Sequence, residues 1–158
     1  MLVLESPAYR EGGVIPLRHA HRTVAGGANL SPPLRWSDPP LHTRSFALSI
    51  VDIHPVAGSW LHWLVFDIPF RVRSLPEGAS RTDLLPPPAR EAVNGFGETG
   101  YGGPAPPPGS GRHTYVASLY ALNVASLPRD CGQSLRRFER ALEGVLIEEA
   151  RLAGCYER

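Results

Sequence analysis

A chain of 158 residues, 42% hydrophobic and 20% charged, fits one domain over residues 1–158 with enough apolar surface for an independent core. Its formal net charge of +1, without any basic run, excludes nucleic acid as the main partner. All 16 basic residues are arginine, which excludes lysine chemistry such as a Schiff base or a P-loop lysine.

The 17 prolines and 16 glycines cluster between apolar runs, as in a loop-rich β protein. Residues 2–4 and 14–17 read as short strands around a turn at Gly12 and Gly13. Residues 19–27 are polar and loop-like, so His19 and His21 are expected in solvent. Residues 29–40 read as rigid extended chain anchored by Trp36, and their prolines argue against a central strand. Residues 45–52 form a strand with Phe46, Leu48 and Ile50 on one face. Residues 61–68 are apolar on both faces, the pattern of a strand covered on both sides, and Pro69 stops it. Residues 71–103 are a long Pro/Gly-rich connection with few strand signals, of the kind that is functional or mobile. Residues 113–122 form another strand. The period then changes: Leu135, Phe138, Leu142, Val145 and Leu146 follow helical spacing, with Asp130 and Gln133 as a capping pair and Gly154 as the stop.

Cys131 and Cys155 lack metal-ligand spacing and read as two buried, reduced thiols. The N-terminal segment has no basic start followed by a long apolar run, and no apolar stretch is long enough to span a bilayer. These features predict a cytoplasmic protein without a membrane span.

The chemistry concentrates in two segments. In GYGGPAPPPGSGRHTYVASLYAL, residues 100–122, a Gly/Pro-rich loop feeds a strand. His113 and Tyr115 are two apart on it, so they share a face at a spacing of about 6.5–7 Å. In SIVDIHPVAGSWLHWLVFDIP, residues 49–69, Trp60 and His62 repeat that spacing behind Asp52. These side chains suit a pocket for a phosphate or similar polar head group, because an imidazole can become cationic as an anion arrives. From spacing alone, His62 and His113 are equally readable as core histidines satisfied by hydrogen bonds. Trp60, in phase with His62, is the pocket candidate, and Trp63 falls on the opposite face. His54 reads as an exposed loop residue, and Arg112 faces away from the pocket by strand alternation.

Other chemistries weigh less. Asp52, His54, His62 and His113 could supply two histidines and a carboxylate to a metal, but D-x-H-x7-H is no metal signature, so neither metal nor cofactor is expected. Nucleophilic hydrolysis lacks a G-x-S-x-G elbow, and Ser59 has no evident base. A small acid–base enzyme (an isomerase, epimerase or cyclase) with Asp52 and His113 as proton carriers is the alternative reading.

Several motifs follow one another in a fixed order: NLSPPLRW at 29–36, SFALSIVD at 45–52, GSWLHWLVFDIP at 58–69, the long GP-rich segment entering H-x-Y at 93–122, and a closing LAGCYER. In that order they resemble the phosphatidylethanolamine-binding protein (PEBP) family, which includes the Raf kinase inhibitor proteins, and its bacterial and archaeal branch in particular. The resemblance runs from about Val14 to the C-terminus. It implies a mainly β fold, an antiparallel β-sandwich with a short C-terminal helix. Matched residue by residue, it implies a ligand site of Asp52, Trp60, His62, Pro107, His113 and Tyr115, with Gly103 and Pro104 shaping the rim. The implied ligand is phosphate, phosphorylethanolamine or an acetate-like ion. The implied role is a binding or regulatory module, with a kinase-inhibitor-like protein-interaction module as a further alternative, and a homodimer is implied too. There is one departure. The family's D-P-D-A-P segment reads Asp52-Ile53-His54-Pro55-Val56 here, so His54 replaces the second aspartate and the rim becomes less acidic.

Overall fold

Period-2 alternation is clearest in β4 (Ser45–Asp52) and β8 (His113–Leu122), and these two strands form the centre of the fold. In the computed structural model, which describes residues 1–158, they pair antiparallel from Ser45 against Leu122 to Asp52 against Tyr115. The remaining elements in chain order are β1 (Val3–Glu5), β2 (Gly13–Val14), β3 (Leu34–Ser37), β5 (Trp60–Pro69), β6 (Ser74–Leu75), β7 (Arg90–Glu91), helix α1 (Leu135–Leu142) and β9 (Leu146–Tyr156). They build a six-stranded sheet of order β2-β9-β8-β4-β5-β7 and a three-stranded sheet of order β1-β3-β6. Every pairing is antiparallel except that of β2 with β9.

The sheets pack face to face. Leu4, Leu34, Trp36 and Leu75 of the small sheet meet Phe46, Leu48, Trp63, Val65 and Leu119 of the large one in the main core. The outer face of the large sheet is covered by α1 and its approach, where Phe138 and Leu142 pack on Ala47, Leu64, Phe66 and Leu122. This explains why β5 is apolar on both faces. Fully burying each such large side chain stabilises the fold by about 1.5–3 kcal/mol.

Several expectations need correction. The segment expected to stay out of a central strand contributes β3, the middle strand of the small sheet. Its prolines lie just outside the strand, at Pro32 and Pro33 before and Pro39 and Pro40 after, so no ladder hydrogen bond is lost. The two N-terminal strands do not pair with each other. β1 joins β3, β2 runs beside β9, and the chain then enters a 3-10 turn at Leu17–His19.

At the C-terminal end the helix is shorter than its apparent period. Ser134 caps α1, its Oγ accepting from the Arg137 amide at 3.1 Å, while Asp130 and Gln133 lie in a preceding 3-10 turn, Arg129–Gln133. Gly144, with φ of 76°, turns the chain before β9. Gly154 therefore sits inside a strand, not at a helix stop.

The long 71–103 connection holds β6 and β7 and is firmly tied down. Glu91 Oε1 accepts from Trp63 Nε1 at 2.8 Å and from Ser80 Oγ at 2.6 Å. No helix is long and apolar enough to cross a membrane.

Candidate functional site

The site forms where β4 ends, β5 begins and β8 begins. Asp52 pairs with Trp60 on one side and with Tyr115 on the other, so the strand register alone gathers three of the expected residues. His62 arrives through a bulge. Ile50 pairs with Trp63 and Val51 with Leu61, which leaves His62 as the extra residue on β5. The bulge lets His62 meet Tyr115 edge to face, with ring centroids 5.1 Å apart at 75°.

These residues enclose a cavity of about 240 Å³. Asp52, Trp60, His62, Pro107, His113 and Tyr115 all line it, together with Val56, Ala57, Phe96, Ala105 and Pro106. Gly103 and Pro104 do not. They act behind the wall as a clasp, not as its rim. The Gly103 amide donates to Asn29 Oδ1 at 2.7 Å, and Pro104 O accepts from the His21 amide at 3.0 Å. A Cβ on Gly103 would stand 2.0 Å from the His19 carbonyl oxygen, so only glycine permits this approach.

Buried Asp52 and His113 are joined at 2.6 Å, Nδ1 to Oδ2. A carboxylate only accepts, so His113 carries a proton on Nδ1. The other Asp52 oxygen accepts from the His54 amide at 2.9 Å. On its far side, His113 Nε2 lies 2.9 Å from Ser110 Oγ. Both imidazole nitrogens of His113 are thus engaged within the protein.

His54 is not the exposed bystander expected from the sequence. Its half-buried ring stacks on His113 with centroids 3.9 Å apart and planes 9° apart. Its Nδ1 accepts from the Val56 amide at 3.1 Å.

His62 and Tyr115 supply the unengaged polar groups. His62 Nδ1 donates to Gly102 O at 2.6 Å, and burial pushes its pKa down to about 4. The ring is neutral at physiological pH and leaves Nε2 as an acceptor. Tyr115 is buried, and its hydroxyl has no hydrogen-bond partner. The phenol lies near Asp52 without meeting hydrogen-bond geometry; burial first, and that carboxylate second, push its pKa up, so it remains a donor. No group of three or more His, Cys, Asp or Glu side chains is arranged to hold a metal ion.

A family model described as phosphatidylethanolamine-binding protein matches residues 5–157. The chain belongs to the phosphatidylethanolamine-binding protein family. The match begins upstream of Val14, where the sequence resemblance becomes visible. The crystal structure of YbcL from Escherichia coli, described as a new member of the mammalian PEBP family, is similar with a TM-score of 0.91 at 33% identity, covering 99% of this chain and 98% of that one. A "UPF0098 protein" of Aquifex aeolicus is 34% identical over 97% of this chain and 86% of its own length. A "putative lipoprotein LppC" of Mycobacterium tuberculosis is 34% identical over 99% of this chain and 72% of its own length.

In this PEBP chain, Phe96, Ser110 and His54 were missed as parts of the site. Phe96 comes from the long connection and packs edge-on against Trp60 at 5.4 Å and His62 at 5.7 Å. Behind it stacks His21, with centroids 4.2 Å apart. His19 and His21 are buried, contrary to the solvated reading, and burial lowers both pKa values. His19 Nδ1 bonds the Leu30 carbonyl at 2.8 Å, which is how a polar stretch hides its histidines. The one available signal for Ser110 was its place between two glycines, three residues before His113.

Proposed function

We propose that this PEBP family protein is a binding or regulatory module that reversibly captures a small oxyanion, phosphate or a phosphorylethanolamine-like head group, in the Asp52–His62–His113–Tyr115 cavity. The observation that carries the reading is the Tyr115 hydroxyl, a buried donor on the cavity wall without a partner. Leaving such a group unsatisfied costs about 1–3 kcal/mol, which a ligand oxygen recovers. Beside it, His62 Nε2 accepts from a protonated ligand oxygen or an ammonium. An entering anion also raises the proton affinity of His62, so capture is coupled to proton uptake and weakens as pH rises. His113, with both nitrogens engaged, orders the wall through Asp52 and gives a donor to the ligand only when Ser110 yields its place.

The test is calorimetric titration of phosphate and of O-phosphorylethanolamine into wild type and Tyr115→Phe at pH 6 and pH 8. Binding at pH 6 that weakens at pH 8, and weakens about tenfold or more in the variant, is the expected result. No heat in wild type at either pH sinks the proposal. The same reading takes residues 1–158 as one domain of a cytoplasmic homodimer. The free buried thiols of Cys131 and Cys155 fit a reducing compartment, and the family resemblance supports the dimer. Sedimentation and cell fractionation test these two points.

A further inference from the structure

Ser110, His113 and Asp52 form a continuous hydrogen-bonded chain, in which His113 and Asp52 line the cavity and Ser110 lies behind His113. Ser110 Oγ lies 2.9 Å from His113 Nε2, and His113 Nδ1 lies 2.6 Å from Asp52 Oδ2. His113 and Asp52 are buried, whereas Ser110 is partly exposed. A hydroxyl on one imidazole nitrogen and a buried carboxylate on the other is the arrangement that activates serine, whatever the order of the three in the chain. We propose that Ser110 is an acyl-transfer nucleophile, with His113 as its general base and Asp52 orienting the ring, and that it hydrolyses small carboxylic esters.

Four further features support this assignment. Ser110 stands on a sharp turn between Gly109 and Gly111, whose φ angles are 77° and 87°, so the hydroxyl is displayed by backbone that favours glycine. The Gly111 amide, directly after the nucleophile, makes no hydrogen bond within the chain and is the candidate donor to an oxyanion. The base is held in place: the His54 amide fixes Asp52, and the His54 ring stacks on His113. Ser110 itself stands outside the cavity lining, but His113 and Pro107, both bonded to its hydroxyl, line the cavity, whose apolar walls Trp60, Phe96 and Pro106 suit a small acyl group. Ser110 Oγ donates to Pro107 O at 2.6 Å, so its single proton must turn from that carbonyl to His113 Nε2 before attack. In the tautomer with the proton on Nδ1, facing Asp52, Nε2 can take the proton as the hydroxyl turns.

In the reaction, Ser110 Oγ attacks the ester carbonyl carbon while its proton passes to His113 Nε2. Collapse of the tetrahedral oxyanion breaks the bond to the alcohol oxygen, which takes the proton from His113. Water, giving a proton to His113, then attacks the acyl-serine. Its collapse releases the carboxylic acid and returns the proton to Ser110. The net change is ester plus water to acid plus alcohol. This chemistry does not depend on the anion reading above.

The test treats the intact protein with a fluorophosphonate probe, maps any adduct by mass spectrometry, and follows p-nitrophenyl acetate hydrolysis in wild type, Ser110→Ala and Ser110→Cys. The expected results are one adduct on the Ser110 peptide, absent in Ser110→Ala, and ester hydrolysis lowered about 100-fold or more in that variant. Ser110→Cys is expected to gain iodoacetamide labelling at residue 110 faster than free cysteine does at the same pH, as a thiol beside a histidine base should. Failure to label folded wild type, an adduct at another residue, or hydrolysis that survives Ser110→Ala overturns the proposal. Melting curves establish that each variant is folded. Phosphate binding retained in a wild type that does not label would overturn this inference and leave the anion reading standing.

Discussion

His62 should make the protein acid-labile by a calculable amount. Its pKa is held down at about 4 by burial, against an ordinary value of 6.5. Between those two values the unfolded chain binds a proton at this position and the folded chain does not. Stability therefore rises with pH across that window and is lost as pH falls from 6.5 towards 4. A shift of about 2.5 units at 1.36 kcal/mol per unit gives roughly 3 kcal/mol lost at the acid end. His19 and His21 push in the same direction through their own burial, so wild type alone cannot isolate the effect. His62→Asn can, because its amide nitrogen stands near the position of Nδ1 and can keep the bond to the Gly102 carbonyl. Urea midpoints for both proteins between pH 4 and pH 8 are the assay. The variant should lose about 3 kcal/mol less than wild type over that range. Parallel pH profiles would refute the reasoning, since they would mean that His62 protonates as readily in the folded state as in the unfolded one. Saturating phosphate should shrink the wild-type loss, because an anion in the cavity stabilises the charged ring.

Tyr115→Phe should leave stability unchanged or raise it by about 1–3 kcal/mol in thermal or urea unfolding, since it removes an unpartnered buried hydroxyl without removing the ring. Destabilisation would show that the hydroxyl has a partner within the protein. Gly103→Ala should destabilise by about 1–3 kcal/mol or more, because its Cβ would collide with backbone at His19 that has no free side chain to swing aside. A melting temperature equal to that of wild type would mean that the loop behind the cavity is looser than its hydrogen bonds indicate.

The parts of the fold legible in the sequence are those whose faces are covered in a simple way. β4 alternates in size because its large residues meet the small sheet while small Ala47 lies under α1, and β5 is apolar throughout because it packs large side chains on both faces. β3 was misread because proline was counted by segment when what matters is position: four residues between two proline pairs suffice for a central strand. β9 was misread because Leu142, Val145 and Leu146 continue a helical period by coincidence. Within it, Ala150 and Leu152 alternate onto the main core, and Gly144 separates the two patterns. Both errors come from tertiary partners that a local window does not contain.

The site divides along the same line. His113 and Tyr115 were legible as a pair because β8 is regular there, whereas His62 reaches the cavity through a bulge that spacing alone does not reveal. Phe96 and Ser110 were not legible, since each is placed by a loop whose path is set by contacts distant in the chain. His54 is the instructive case. A histidine fills the position of the family's second aspartate, and it is the backbone amide of residue 54, not its side chain, that bonds the Asp52 carboxylate. The ring is free to stack on His113 and shield the Asp52–His113 pair from one side. A second carboxylate at that position would place another negative charge beside the pair. The ring that replaces it carries no carboxylate, and its Nδ1 already accepts from the Val56 amide, which leaves His113 as the imidazole bonded to Ser110. If the proposed anion capture and serine chemistry hold, replacing His54 by aspartate should weaken both, measured as phosphate affinity by calorimetry and as p-nitrophenyl acetate turnover.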